Sequence, residues 1–337
     1  MSTYIPPPKG AALPEFGEPV LAGPDGADFG ESASAGTLTA VEAAELGLQP
    51  AVRPRSMLRR GWEVFAENKL ALASLTLVVL IVLFCFVGPL LYRTDQVHTN
   101  LGDVLCKPSG KHLLGCDNVG YDVLGRLMIG GQTSIEVGIA AAVVAVLFGT
   151  LYGALSGFIG GITDSVLMRL VDAGLSIPYI TVLIMLSVIF HPNKAVMVFV
   201  IAVFYWLGVA RLVRGETLTL RSREYVQAVK VLGGGNGRAI IRHIVPNAIG
   251  TIIVQATFAV ADSIIILAGL GFLGLGVQPP ATDWGSMLSG GLAYLQSSQS
   301  YWWLIYPAGI AIIVTCIAFN FIGDALRDAF ETRLQRR

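Results

Sequence analysis

The chain has 337 residues, of which 54% are hydrophobic and only 14% charged, with 23 basic residues against 23 acidic ones. Soluble domains carry about 25% charged residues, and nucleic-acid-binding domains show a basic excess or a basic stripe. The composition therefore argues against an ordinary soluble enzyme and against a nucleic-acid partner. Most of the glycines lie inside apolar segments, which is typical of packed membrane helices.

Residues 1–52 differ in composition from the rest of the chain. Seven acidic residues face a single basic residue, Lys9, among Pro, Gly, Ala and Ser. Such a segment cannot bury enough apolar surface to fold, and it lacks the basic start and immediate apolar stretch of a secretory signal. We expect a disordered acidic tail in the cytoplasm.

Residues 53–69 have the pattern of a helix lying in the membrane interface. Leu58, Trp62 and Phe65 share one helical face, whereas Arg59 and Arg60 occupy others. The alternative is that this segment is simply the cytosolic end of the first membrane span.

Six apolar segments follow, each close to the ~20 residues that cross a bilayer. We expect spans over Leu70–Tyr92, Val137–Thr163, Leu170–Phe190, Ala195–Leu212, Ile249–Leu275 and Ile305–Gly323, with a kink at Pro178. The sequence thus predicts an all-α, polytopic membrane protein with six transmembrane helices.

The basic residues predict the orientation, because Lys and Arg collect in short cytoplasmic loops. With the tail inside, only Arg93, Lys107, Lys111, Arg126 and Lys194 lie on the outer side. Both termini are then cytoplasmic, in a bacterial-type inner membrane, and the segment 211–246 is the largest inner loop.

The four cysteines fit this topology. Cys85 and Cys316 lie within spans, whereas Cys106 and Cys116 both fall in the first outer loop. A disulfide between them would contribute roughly 2–3 kcal/mol; two free thiols remain the alternative.

Several kinds of chemistry have no matching pattern in the sequence. There is no G-x-x-x-x-G-K-[ST] segment for gripping nucleotide phosphates, and the four histidines show no metal-ligand spacing. No Ser/His/Asp or paired-carboxylate grouping lies in a span. We therefore expect no metal site and no catalytic centre, and passage of a solute becomes the leading function.

The second span carries small residues at every fourth position, Ala141, Ala145, Gly149, Gly153 and Gly157. Such a row lets the backbone of a neighbouring helix approach closely. We interpret it as a helix-packing surface without substrate specificity.

The inner loop contains a short amphipathic helix. Tyr225, Ala228, Val229 and Leu232 fall on one helical face, and Gly233 to Gly235 end the helix. This pattern is typical of an element that docks in a groove on a partner protein; a helix resting on lipid headgroups is the alternative.

The same loop resembles the coupling motif of binding-protein-dependent ABC importer permeases, in which Glu-Ala-Ala precedes a Gly and, further on, Ile-x-Leu-Pro. Here the motif reads Gln227-Ala228-Val229, Gly233 and His243-Ile244-Val245-Pro246. Other segments resemble the second membrane subunit of the dipeptide/oligopeptide/nickel family: His112 to Arg126, Gly160 to Asp164, Phe272 to Pro280 with Trp284-Gly285, and Ala318 to Asp328.

This resemblance, which covers the chain from about residue 55 onward, implies a type I ABC importer permease fold. It implies a first helix with an extracytoplasmic loop over 70–130, a transmembrane domain over 131–324 with a coupling helix at 223–235, and a cytoplasmic C-terminus at 325–337. ATPase coupling is expected from Glu224, Tyr225, Gln227, Ala228, Val229, Leu232, Gly233 and Pro246.

The implied function is ATP-driven import of di- or oligopeptides by alternating access. The implied partners are a second permease, two ATPases that bind ATP and Mg²⁺, and an extracytoplasmic solute-binding protein. This chain itself would bind no cofactor and have no ATPase site.

Asp262 is an acidic residue near the middle of the fifth span, which costs about 3 kcal/mol unless it faces water or a partner. One interpretation places it on the translocation pathway, attracting a peptide amino group; the other pairs it with the second permease. Two other classes stay open: a stand-alone secondary transporter or channel, which needs its own ion site, and a scaffold or sensor that works through the acidic tail.

Overall fold

The computed structural model describes residues 65–190, 192–233, 235–294 and 301–331. The predicted acidic tail, and all of the interfacial helix before Phe65, lie outside the described residues. The helices, in chain order, are α1 Lys69–Phe86, α2 Gly88–Leu91, α3 Val123–Ile159, α4 Gly161–Ser176, α5 Tyr179–Ile189, α6 Lys194–Arg221, α7 Glu224–Val231, α8 Asn236–Ala239, α9 Ile249–Phe272, α10 Trp284–Leu292 and α11 Tyr306–Glu331.

The prediction of an all-helical membrane protein is confirmed over the described residues, which contain no strand beyond one isolated bridge. Five helices or joined helices are long and apolar enough to cross a membrane: α1 with α2, α3, α6, α9 and α11. The pair α4 and α5 makes a sixth crossing if it counts as one span, since it bends by 82° at its break.

Four predicted spans differ from the observed helices. The fourth and sixth were predicted too short, because α6 continues to Arg221 and α11 to Glu331. The second begins at Val123, not Val137, because the Asp122 side chain accepts a hydrogen bond from the Gly125 N–H and starts the helix early. The third is broken rather than kinked. Pro178, which has no N–H to donate, stands between the two halves.

The two ends of the bundle carry different loops. At the disulfide end, which comprises residues 92–122 and 273–305, the Trp303 indole N–H donates to the Cys116 carbonyl. At the coupling end, which comprises residues 222–248 and the ends of α3 and α11, Arg221 reaches the last carbonyls of α3. Every membrane helix runs between these two ends.

The small-residue row of α3 packs against α6. A side chain at Gly153 would overlap the carbonyl oxygen of Ala210, and one at Gly149 would come within 2.7 Å of Val209. At Gly157 an added Cβ would stand 2.9 Å from the Arg214 carbonyl oxygen, while Ala145 is fully buried. The two backbones thus approach as closely as glycine allows. Of the described helix pairs, α3 and α6 share the most extensive contact.

The loop at the disulfide end is closed covalently and capped by buried polar groups. Cys106 and Cys116 form a disulfide with their Cα atoms 4.8 Å apart. In the following loop, the fully buried Asp283 caps α10 and accepts hydrogen bonds from the backbone of Ser286 and Val277. Burial raises the pKa of the Asp283 carboxyl despite these donors.

Candidate functional site

The predicted coupling helix exists but is shorter than the expected 223–235. Helix α7 covers Glu224–Val231, and the chain turns at Leu232 and Gly233. Gly233 has φ +77°, a left-handed conformation that glycine adopts without the steric cost of a Cβ. The helix therefore ends where its first glycine permits the turn.

The two faces of α7 have opposite environments. Val226 is fully buried in the main core together with Phe158 and Ile244, and Val229 is half-buried against the same core. Val229, which the sequence places on one face with Tyr225, Ala228 and Leu232, lies at the edge of the buried stripe, and its role in coupling stays a prediction. The outward face, which we call the coupling patch, consists of Tyr225, Ala228, Val231 and Leu232.

The start of α7 is fastened to the end of α6. The Gln227 amide donates to the Arg221 carbonyl at 3.2 Å, so this predicted coupling residue holds the helix to the bundle. Arg221 in turn donates to the Gly157 and Phe158 carbonyls at 3.0 and 3.3 Å. Glu224 opens the helix on its exposed side. Hydrogen bonds thereby connect α7 to both α6 and α3.

A buried polar cluster braces the same end of the bundle. Asp164 on α4 accepts two hydrogen bonds from the Arg214 guanidinium, at 2.7 and 2.6 Å, and a third from Ser156. A bidentate Arg–carboxylate pair fixes both distance and orientation. Helices α3, α4 and α6 are thus held as one unit above α7.

The chain returns to the membrane through a π-turn. Residues Ile240–Ile244 form wide turns, in which the Val245 N–H donates to the Ile240 carbonyl at 2.9 Å. Pro246 follows directly and has no N–H to continue this pattern. Helix α9 then begins at Ile249, three residues beyond Pro246.

A cavity of ≈ 460 Å³ opens beside the broken span, about midway between the two ends. Its walls come from the junction of α4 and α5, from α6 and from α9. Most of the lining is apolar, and the side chains with polar groups are Tyr179, Tyr205, Gln255 and Asp262. Irregular backbone at membrane depth is tolerated where it lines such a cavity.

Asp262 lies on the wall of this cavity and is exposed to it. The Tyr205 hydroxyl donates to Asp262 Oδ2 at 2.8 Å, and Gln255 Nε2 lies 3.4 Å from that hydroxyl oxygen. Within the described part of the chain, no basic side chain forms an ion pair with Asp262. The carboxylate is held in place by one neutral donor, the Tyr205 hydroxyl, and its charge has no partner among these residues.

Sequence reasoning missed several residues of this site. Val226 and Val229 have the same i, i+3 spacing as Tyr225 and Ala228, so periodicity alone cannot tell which stripe is buried. Tyr205 and Gln255 lie in separate spans from each other, and only the three-dimensional packing brings them to Asp262. The resemblance segment Gly160 to Asp164 was a usable signal for the brace, because an acid inside an apolar segment needs a partner.

The described residues form an all-helical membrane bundle with a central cavity. A short exposed helix, α7, is anchored to two of the spans. Together these features are those of the membrane subunit of a transporter. Residues 145–336 match the family model described as the inner membrane component of binding-protein-dependent transport systems. Residues 56–108 match the N-terminal transmembrane domain of oligopeptide transport permease C. The chain belongs to this family of multi-pass, binding-protein-dependent ABC transport permeases.

Its relatives include several peptide permeases. The chain is 43% identical over 284 residues to the oligopeptide transport system permease protein OppC of Salmonella typhimurium, covering 84% of this chain and 93% of that protein. It is 39% identical to OppC of Bacillus subtilis, covering 81% and 88%, and 36% identical to the dipeptide permease DppC of the same organism, covering 83% and 87%. The resemblance stated from the sequence motifs is thereby confirmed.

Proposed function

We propose that this chain is one half of the membrane channel of an ATP-driven importer for di- and oligopeptides. The observation that carries the proposal is the coupling patch, an exposed apolar surface on a helix whose opposite face is buried in the core. An exposed apolar patch of this kind is typical of a protein interface, and its anchoring to α3 and α6 allows it to move the spans.

The complete importer contains four further polypeptides in this proposal. A second permease completes the channel, two ATPases bind ATP and Mg²⁺ and receive the coupling helix, and a solute-binding protein delivers the peptide. The coupling end and both termini face the cytoplasm, as the distribution of basic residues predicts. This chain binds no cofactor and performs no hydrolysis.

Transport follows from a rigid-body change in this arrangement. Closure of the ATPases on ATP displaces α7, and the contacts of Val226, Gln227 and Arg221 carry the movement to α3 and α6. Because α3, α4 and α6 are braced together, they tilt as one unit and expose the cavity to one side of the membrane at a time.

The cavity chemistry supports a peptide as the transported solute. Apolar walls accept side chains of varied shape, whereas Asp262 and Gln255 supply a charged acceptor and an amide. A peptide amino terminus is a cation that Asp262 can attract. The similarity to OppC, an oligopeptide permease, and to DppC, a dipeptide permease, supports this substrate class.

The test is ATPase stimulation by a solute panel in the reconstituted five-polypeptide complex. Peptides of two to five residues should stimulate hydrolysis when the solute-binding protein is present, and single amino acids should not. Stimulation by a non-peptide solute such as a metal chelate, without any response to peptides, would contradict the proposed substrate class while leaving ATPase coupling intact.

A further inference from the structure

Three metal-ligating side chains converge in the loop at the disulfide end. The ligand atoms of Cys106, His112 and Cys116 all lie within 4.8 Å of one another. The spacing of the histidines in the sequence gave no hint of this group, because His112 is the only one of the three described histidines that belongs to it. In the structure the two cysteines form a disulfide, so their sulfur atoms are occupied by each other.

His112 is oriented as metal-binding histidines are. Its Nδ1 lies 2.9 Å from Asp122 Oδ2, and Asp122 is only 2% exposed and also receives the Tyr92 hydroxyl. A carboxylate at Nδ1 places the ring proton there and leaves the Nε2 lone pair free, which is the usual arrangement behind zinc. The Nε2 atom is buried and has no hydrogen-bond partner among the described residues.

A fourth ligand stands on the open side of this nitrogen. Asp103 Oδ2 lies 3.5 Å from His112 Nε2. It also accepts hydrogen bonds from Asn100 Nδ2 at 2.7 Å and from Lys111 Nζ at 3.1 Å, and both donors are exposed side chains that can turn away. In a tetrahedral zinc site with bonds of about 2.0 Å to nitrogen and oxygen, those two ligand atoms stand about 3.3 Å apart. The His112 and Asp103 atoms are therefore already at the separation that one zinc ion requires.

We propose that reduction of the Cys106–Cys116 disulfide creates a Zn²⁺ site with Cys106, Cys116, His112 and Asp103 as ligands. A dithiol reductant supplies two electrons and two protons, the S–S bond breaks to give two thiols, and the reductant becomes a disulfide. Zn²⁺ then displaces both thiol protons to solvent and binds the two thiolates. The sulfur atoms have only to separate to about 3.8 Å, the distance set by Zn–S bonds of about 2.3 Å.

The consequence is a loop that stays cross-linked in both redox states. The Cys116 carbonyl accepts the Trp303 indole N–H, so the closed loop joins the first half of the chain to the segment before α11. A zinc cross-link keeps this contact when the disulfide is lost. The inference concerns this loop alone and does not depend on the transported solute.

The test uses the full-length protein in detergent, reduced with a dithiol, desalted without oxygen and titrated with Co²⁺. One equivalent should bind with tetrahedral d–d absorption and a thiolate-to-cobalt charge-transfer band, and Zn²⁺ should displace it. The oxidised protein should show neither band. Zn²⁺ should also raise the Tm of the reduced protein and leave that of the oxidised protein unchanged.

Variants assign the ligands. Cys106→Ser/Cys116→Ser should lose the charge-transfer band, His112→Ala should lose at least tenfold in Co²⁺ affinity, and Asp122→Asn should lose about 10- to 100-fold through the orientation of His112. His98→Ala, an exposed histidine of the same loop, is the matched control and should bind as the parent does. A band that survives the double serine change, or that is absent from the reduced parent, overturns the proposal.

Discussion

Val226 in α7 and Leu232 just past the end of this helix have opposite environments. Val226 is 0% exposed and belongs to the main core, whereas Leu232 is 85% exposed just past the end of α7. The first fastens the helix to the membrane bundle, and the second is available to a partner. The proposed coupling needs both residues, because α7 must be attached to the membrane helices on one side and accessible to the ATPases on the other.

Leu232→Asp should abolish ATPase-coupled uptake without unfolding the permease. A charge at this exposed position costs little stability in the isolated chain, but it would be buried without a partner in the ATPase interface. Co-purification with the ATPases and uptake in proteoliposomes measure the effect.

Leu101→Asp is the matched control for this change, because Leu101 is 80% exposed at the opposite end of the bundle. The control should retain ATPase co-purification at the parent level. Equal retention by both variants would remove the coupling patch from the interface.

Asp262→Asn should lower the uptake of peptides with a free amino terminus about tenfold relative to amino-terminally acetylated ones, which corresponds to about 1.4 kcal/mol. The carboxylate faces the cavity and has no basic partner among the described residues, so its charge is available to a substrate. Asparagine keeps the shape and the hydrogen bond from Tyr205. Unchanged uptake of both peptide classes would refute the substrate role.

Asp283 predicts a pH dependence of stability. Because burial raises its pKa in the folded protein, the folded state holds a proton that the unfolded state has already released. This contribution is complete below the ordinary aspartate pKa of about 3.9 and is lost as pH rises through the raised pKa.

The variant Asp283→Asn should be less stable overall, because its amide cannot accept the Val277 N–H as the carboxylate does. Its Tm should also fall less steeply than that of the parent as pH increases from about 4. Parallel Tm profiles for the two proteins would show that Asp283 does not titrate as burial implies.

For single residues, the sequence was informative where the residue type alone determines the local backbone conformation. Gly233 could be predicted as the helix end because only the backbone conformation is at issue. The buried face of α7 could not, because two apolar stripes compete for the core and the choice depends on α3 and on the π-turn. Tyr205 became a partner of Asp262 only through the packing of α6 on α9.

Helices α3 and α6 show how an element-level property follows from a sequence repeat. The row from Ala145 to Gly157 predicted close packing but did not identify the neighbour. In the structure the neighbour is α6, whose Ala210 carbonyl occupies the space that a side chain at Gly153 would need. In the proposed mechanism, a tilt of α7 is transmitted to the membrane helices through this contact.

Gly153→Ala should destabilise the protein by about 1–3 kcal/mol, because the added methyl group forces α3 away from the α6 backbone. Gly215→Ala is the control. Gly215 lies at an exposed position of α6 where an added Cβ meets nothing within 4 Å, so this change should be neutral or slightly stabilising. Thermal unfolding in detergent distinguishes them, and a Tm for Gly153→Ala at or above that of the control would contradict the packing role.

The broken span α4–α5 marks the limit of sequence prediction at this scale. Pro178 indicated a kink, but the span is broken, with a bend of 82° between α4 and α5, and Asp164 and Arg214 hold α4 against α6. Neither an apolar profile nor a single proline encodes such a contact between distant segments. The bend in turn creates the wall of the central cavity.

For the whole molecule, the structure describes a membrane permease whose helices are joined by specific contacts. The composition was sufficient to predict a multi-pass helical membrane protein, and the motifs were sufficient to predict its family. The cavity required the three-dimensional structure because its residues come from segments far apart in the chain. The zinc-ligand group lies within residues 103–116, but its geometry depends on how this loop folds.

A broken helix beside a mid-membrane carboxylate is also a feature of secondary transporters, which carry their own ion site. The most direct test of the account is therefore peptide uptake into proteoliposomes, measured for this chain alone and for the complete complex with and without ATP. We expect peptide uptake only by the complete complex with hydrolysable ATP. Uptake by the chain alone, driven by an ion gradient, would contradict it.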